Sequence, residues 1–92
     1  MHKRRMKHLE FRLRKENELN KLYYKFKISH REKEIIDLIL KRKSNKDIED
    51  KLYISSHTVK NHIYHIYKKL GVKNRGELVL LLKSDLSKTK RD

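Results

Sequence analysis

The chain has no cysteine and no proline, and only two glycines, Gly71 and Gly76, among its 92 residues. Without cysteine there is no disulfide framework, no thiolate zinc site and no thiol nucleophile, and the composition suits a reducing compartment. So few turn-forming residues leave little of the punctuation that strand-rich folds need, whereas Lys, Leu, Ile and Glu are plentiful, so the expected fold class is all-α. Long apolar runs are missing as well. The longest, Leu78 to Leu82, falls far short of the roughly 20 residues that span a bilayer, and no signal-peptide core follows the basic N-terminus. The expectation is a soluble, cytoplasmic, nucleoid-associated chain, with a membrane-anchored parent protein left open by the basic cluster Lys3-Arg4-Arg5 and Lys7.

Positive charge is what the chain has in excess. Its 26 Lys and Arg face 12 Asp and Glu, a formal net charge of +14, and 36% of residues are hydrophobic, so the chain is expected to meet a polyanion, nucleic acid first. A chain this short suffices for one domain with a modest core. It leaves little room for a cleft holding a nucleophile, a base and an orienting group, so no enzymatic activity and no cofactor are expected. Residues 1–27 hold ten basic and three acidic side chains, net +7, while residues 28–82 hold twelve and seven, net +5, with nearly all the branched aliphatics. Three stretches are therefore expected: a basic arm or connecting helix over 1–27, a folded domain over 28–83 and a polar tail over 84–92.

Within the folded stretch, Ser29 with Glu32, Ser44 with Asp47 and Asn74 with Glu77 each place a capping residue three positions ahead of a carboxylate, and Ser55 is a plain N-cap. Four helices are predicted behind these caps, from about His30 to Lys41, Asn45 to Leu52, Ser56 to Leu70 and Arg75 to Lys83. Val59, Ile63, Ile66 and Leu70 form one apolar stripe on the third, which Gly71 can terminate in the left-handed conformation. The last helix carries Leu78, Val79, Leu81 and Leu82, more apolar width than a two-turn helix needs. Leu78, Leu81 and Leu82 are expected to form a dimer interface, with core membership as the alternative. The arm has Met6, Leu9, Leu13, Leu19, Leu22, Tyr23 and Phe26 in an interrupted helical pattern that Glu16 and Asn20 break as a coiled coil. It predicts a helix, with dimerisation through the arm as an open alternative.

The second and third helices, joined by Tyr53 and Ile54, match a helix-turn-helix unit whose second member would be the recognition helix. Between Lys51 and Gly76 there is no Asp or Glu, and the face opposite the apolar stripe holds His57, Lys60, Asn61, Tyr64 and Lys68, with His65 at its margin. Lys60, Asn61 and Tyr64 lie in the half that enters a major groove and are the expected base readers, since Lys donates to guanine, Asn pairs with adenine and Tyr offers a hydroxyl. For Tyr64 the alternative is packing on the arm. Phosphate contacts are expected from Ser44, Asn45 and Lys46 at the start of the second helix, from His57, Thr58, His65, Lys68 and Lys69 on the third, and from Arg75 beyond it. His62 and His65 stand three apart and could share a metal ion, but no Cys or carboxylate nearby completes a site, so no metal is expected.

Ser29, Arg31 and Glu32 open the segment from Ile28 to Leu82, Ser44-Asn45-Lys46-Asp47-Ile48 start its second helix, and Ile54-Ser55, Thr58-Val59-Lys60-Asn61-His62, Ile66, Lys69-Leu70-Gly71-Val72 and Arg75 follow. In this order and spacing the segment resembles a LuxR/GerE-type DNA-binding domain. The resemblance implies a four-helix domain that binds promoter DNA as a dimer, with the third helix in the major groove and the fourth supplying the dimer contact. A two-fold dimer implies an inverted-repeat site. The implied partners are double-stranded DNA, a second copy of the chain and RNA polymerase, with no small-molecule substrate. The implied setting is the effector part of a longer, signal-responsive regulator of the two-component type, or a small standalone member. Two positions depart from the family: Arg42 stands where Gly is usual, which predicts a helix that runs on or ends differently, and Glu49 replaces a small Ala and must reach solvent or pair with Lys46 or Lys51. Two rival functions remain: a helix-turn-helix module that binds protein, and a nucleic-acid binder driven by charge alone.

Overall fold

Ser29, Ser44 and Ser55 each start a helix in the way their spacing predicts. The Ser29 hydroxyl accepts from the Glu32 amide at 3.2 Å while the Glu32 carboxylate accepts from the Ser29 amide at 2.8 Å. Ser44 and Asp47 repeat this reciprocal box at 3.1 and 3.0 Å, and the Ser55 hydroxyl accepts from the Thr58 amide at 3.1 Å. Each pair satisfies donors that a helix N-terminus leaves without intrahelical partners. The structure is a computed structural model that describes the backbone of residues 17–91 and the side chains of residues 17–83. Residues 17–25 are helical (α1), followed by α2 (His30–Leu40), α3 (Asn45–Leu52), α4 (Ser56–Leu70) and α5 (Arg75–Arg91). Every described element is a helix, as the scarcity of turn residues predicts. None of them is long and apolar enough to cross a membrane.

Glycine ends only one of these helices. Gly71 takes φ +69° after α4, but Lys27 (φ 57°), Arg42 (φ 63°) and Tyr53 (φ 56°) make the same left-handed turn after α1, α2 and α3. At each of these turns an amide beyond the helix bonds a carbonyl five residues back: Ile28 to Tyr23 at 2.8 Å, Lys43 to Leu38 at 3.0 Å, Ile54 to Glu49 at 3.2 Å and Val72 to Tyr67 at 3.0 Å. Arg42 thus neither lengthens α2 nor reshapes its end, contrary to the sequence expectation; the hydrogen bonds of the turn outweigh the cost of a side chain in that region. Arg42→Gly is expected to relieve that strain and stabilise the domain by about 0.5–1 kcal/mol, read as a rise in the urea midpoint at unchanged m-value. Glu49 is half-buried, and Lys46 pairs with Asp50 at 3.7 Å on the exposed face of α3 instead.

The core gathers one stripe from each helix. Ile35, Ile36, Leu38 and Ile39 of α2, Ile48 of α3, Val59, Ile63, Ile66 and Leu70 of α4, and Leu78 and Leu82 of α5 are all buried. Helix α4 packs on both α2 and α3, and α5 packs on α2. The burial of Leu78 and Leu82, both with no measurable exposure, corrects the expectation that they form a dimer surface: α5 needs them to cover α2. Leu81 is half-buried and packs against the same cluster. A second difference concerns the C-terminus, where α5 continues to Arg91 rather than giving way to a polar tail; no Pro or Gly follows Gly76 to stop it.

Helix α1 is also part of the packed unit. Tyr23 is buried, with its phenol pushed up to about 12 first by burial and then by the Asp37 charge, and Leu19, Leu22 and Phe26 lie against the core. Leu19, Leu22 and Tyr23 of α1 are therefore taken up by their own domain, which extends the packed unit upstream of residue 28, while Tyr24 on the same helix stays 89% exposed. Met6, Leu9, Leu13 and the Lys3-Arg4-Arg5 cluster lie outside the described residues.

Candidate nucleic-acid interface

Helix α4 divides into two faces because its apolar residues recur at intervals of four, three and four. With Val59, Ile63, Ile66 and Leu70 buried, the helical repeat turns His57, Lys60, Asn61, Tyr64, His65 and Lys68 to the far side, within an arc of about 140° at 100° per residue. All six are exposed. Tyr64 keeps 57% of its surface open, with the Lys68 ammonium 5.6 Å from its ring centroid and the His65 ring edge-on at 5.6 Å. Both of these ring partners belong to α4 itself. The face presents donors, acceptors and positive charge without a carboxylate, chemistry that suits phosphates and base edges.

The start of α3 is arranged differently from the sequence expectation. The Ser44 hydroxyl and amide are both engaged by Asp47, whose carboxyl these hydrogen bonds hold below the usual aspartate range. The Asn45 side-chain oxygen accepts from the Arg75 guanidinium at 2.9 Å, and a second Arg75 nitrogen donates to the Lys43 carbonyl. Arg75 thus ties the start of α5 to the start of α3, an intramolecular strut. Lys46 is exposed beside Asp50, in a pair loose enough to exchange for another anion. Thr58 is half-buried, its hydroxyl 2.9 Å from that of Ser55.

Lys69 stands apart from its neighbour Lys68. Its ammonium donates to the Glu32 carboxylate at 2.7 Å and to the Lys27 carbonyl at 3.0 Å, so the side chain turns inward, away from the exposed face. Glu32 retains only 4% of its surface. Burial alone would raise its pKa, but the hydrogen bonds from Lys69 and the Ser29 amide, with the Lys69 charge, outweigh that and hold it below the ordinary glutamate value. Sequence reasoning found Glu32 only as a capping residue. Its partner lies 37 positions away, and no local pattern signals such a pair.

The exposed candidates for DNA contact are therefore His57, Lys60, Asn61, Tyr64, His65 and Lys68 on α4, with Lys46 on α3. Ser44, Asn45, Lys69 and Arg75 have side chains engaged within the domain. Among the described residues no three His, Asp or Glu side chains converge as a metal site would require.

The model of the luxR family of bacterial regulatory proteins, GerE, matches residues 27–82. The chain is 42% identical over 55 residues to the spore germination protein GerE of Bacillus subtilis, covering 60% of this chain and 74% of that protein. It is 53% identical over 55 residues to the oxygen regulatory protein NreC of Staphylococcus aureus, covering 59% of this chain and 25% of the relative. It is 46% identical over 52 residues to the CsgBAC operon transcriptional regulatory protein of Escherichia coli, covering 56% of this chain and 24% of the relative. The match thus spans about a quarter of the last two proteins. No solved structure gives a significant match. The matched region contains α2, α3, α4 and the buried part of α5, and domains of this kind are DNA-binding regulatory domains rather than enzymes. In fold and in the extent of the match, the chain belongs to the luxR family of bacterial regulatory proteins.

Proposed function

We propose that the chain is a sequence-specific transcription regulator that lays α4 in the major groove of double-stranded DNA and binds an inverted-repeat site as a homodimer. The observation that carries this reading is the exposed, acid-free face of α4, opposite a fully apolar buried stripe. Lys60 and Asn61 read bases from the first half of the helix and Tyr64 from just past its midpoint, while Lys46, His57, His65 and Lys68 hold phosphates on either side. The names of the relatives, an operon transcriptional regulatory protein among them, support a site at promoters, where RNA polymerase is the neighbouring partner. The domain does the same work in a longer signal-responsive regulator or in a small standalone one.

The dimer surface in this reading is the outer face of α5. Leu80, with 67% of its surface exposed, stands there with Gly76 and Lys83 in a helical row, flanked by half-buried Val79. Leu80→Glu is expected to abolish cooperative binding to two half-sites while circular dichroism and monomer stability stay as in the unmodified chain. Cooperativity that survived the substitution would move the dimer contact elsewhere.

Lys60→Ala is expected to weaken specific binding by about 1–3 kcal/mol and to relax preference at one base pair. A binding motif unchanged in that variant would remove Lys60 from the base readers. The reading as a whole is tested by selecting bound sequences from a random duplex pool at near-physiological salt. Recovery of a two-fold symmetric motif supports it. Equal retention of all sequences would mean binding by charge alone, and no retention would favour a helix-turn-helix module that binds protein.

A further inference from the structure

We propose that Lys69 is a positioning residue that couples the first helix of the packed unit to the recognition helix, because its one ammonium holds both the Lys27 carbonyl that ends α1 and the Glu32 carboxylate that caps α2. This rests on α4 being the helix that reads DNA. The two contacts, at 3.0 and 2.7 Å, meet at the joint where the chain turns from α1 into α2. Lys27 is in the left-handed conformation there, and the Ile28 amide returns to the Tyr23 carbonyl at 2.8 Å. The same Glu32 oxygen that receives Lys69 also receives the Ser29 amide at 2.8 Å. The joint therefore has one set of hydrogen bonds closed around a side chain from the last turn of α4.

The consequence is a linkage between two places. Helix α1 lies on the domain through Leu19, Leu22, Tyr23 and Phe26, and it is the segment through which any force from residues ahead of it reaches the domain. When α1 lifts, the Lys27 carbonyl leaves Lys69 and the last turn of α4 loses part of its anchorage; when Lys69 is held, α1 is held with it. Coupling of this kind is reciprocal by thermodynamic necessity. A signal that moves α1 thus changes the DNA-binding helix without touching its exposed face. Lys69 is suited to this because a flexible stem with three donors can hold a carbonyl and a carboxylate together.

The test is amide hydrogen exchange on the whole chain, with a DNA-binding arm. In Lys69→Met, exchange at Phe26, Lys27 and Ile28 should accelerate about tenfold more than exchange at Ile63 and Ile66 in the middle of α4, the signature of local rather than global opening. Lys69→Arg, whose guanidinium can bridge the same two oxygens, should restore protection at the joint. In the reverse direction, Leu22→Ala, which loosens α1 and leaves Lys69 in place, should accelerate exchange at Leu70 and Gly71. It should also weaken DNA binding severalfold, and neither effect should recur when Lys69→Met is already present. Joint and core exchange that changed strictly in step would overturn the coupling and leave Lys69 as a stabilising pair only. A chain that bound no DNA at all would overturn the reading of α4, while the exchange arms would still decide the coupling.

Discussion

Lys69→Met is expected to destabilise the domain by about 2–4 kcal/mol at neutral pH, a large fraction of what a domain of this size has to lose. The substitution keeps the aliphatic stem and removes the charge, which leaves the Glu32 carboxylate, 4% exposed, with the Ser29 amide as its remaining named partner. Removing one partner of a buried pair costs more than the pair contributes, because the other charge is stranded in low dielectric. The figure is set below the full range for buried pairs because the Lys69 side chain is one-third exposed. The sign of the pH dependence follows from the lowered Glu32 pKa. A carboxylate whose proton affinity is depressed by folding contributes stability above its unfolded value and loses that contribution as pH falls through its folded value. The gap in urea midpoint between the unmodified chain and Lys69→Met should therefore be widest at neutral pH. It should narrow below the ordinary glutamate range, where a protonated Glu32 needs no cation. A gap independent of pH would show that packing of the stem, not the ion pair, carries the effect. Equal stability of the two proteins would return Lys69 to the exposed face as a phosphate contact.

Leu78→Ala is expected to cost about 2–5 kcal/mol, measured by urea unfolding, through lost transfer free energy and the cavity left between α5 and α2. Its near neighbour provides the contrast. Leu80→Ala removes a side chain that is 67% exposed and should change monomer stability by no more than about 0.5 kcal/mol. The two residues lie about 200° apart on the helix, and their roles separate because α5 buries only the side that faces α2. If Leu78→Ala left stability unchanged and abolished association instead, α5 would have to sit differently on α2 than described. Its burial explains why an apolar count on α5 overstates the surface left for a partner: Leu78 and Leu82 are spent inside the domain.

The helices and most of their ends follow from local chemistry. A serine N-cap satisfies an orphan amide, and at Ser29 and Ser44 a carboxylate three residues on adds a second bond; with an apolar residue every three or four positions making a face, α2, α3 and α4 begin where Ser29, Ser44 and Ser55 place them. The exposed face of α4 is legible for the same reason, since burying Val59, Ile63, Ile66 and Leu70 leaves no freedom in where Lys60, Asn61 and Tyr64 lie on the helix. The left-handed ends at Lys27, Arg42 and Tyr53 are less legible. Glycine is the usual signal for such a turn, and here the closing hydrogen bonds make the turn without it.

Long-range pairing is another matter. Whether Lys69 faces DNA or Glu32, whether Arg75 meets a phosphate or Asn45, whether Leu78 covers α2 or a second chain, and whether α1 belongs to the domain all depend on contacts between residues tens of positions apart. Lys68 and Lys69 are the same residue type about 100° apart on α4, and the helical period leaves Lys69 on the flank of the helix without naming its partner. The choice between inward and outward is made only when α2 and α3 close on α4 and α5 closes on α2. Local hydrogen bonding and periodicity thus set the elements and the recognition face, because those forces act within a turn or two. Burial and ion pairing assign the remaining side chains, because an ammonium, a guanidinium or a leucine takes its role from whichever neighbour the packed helices bring to it.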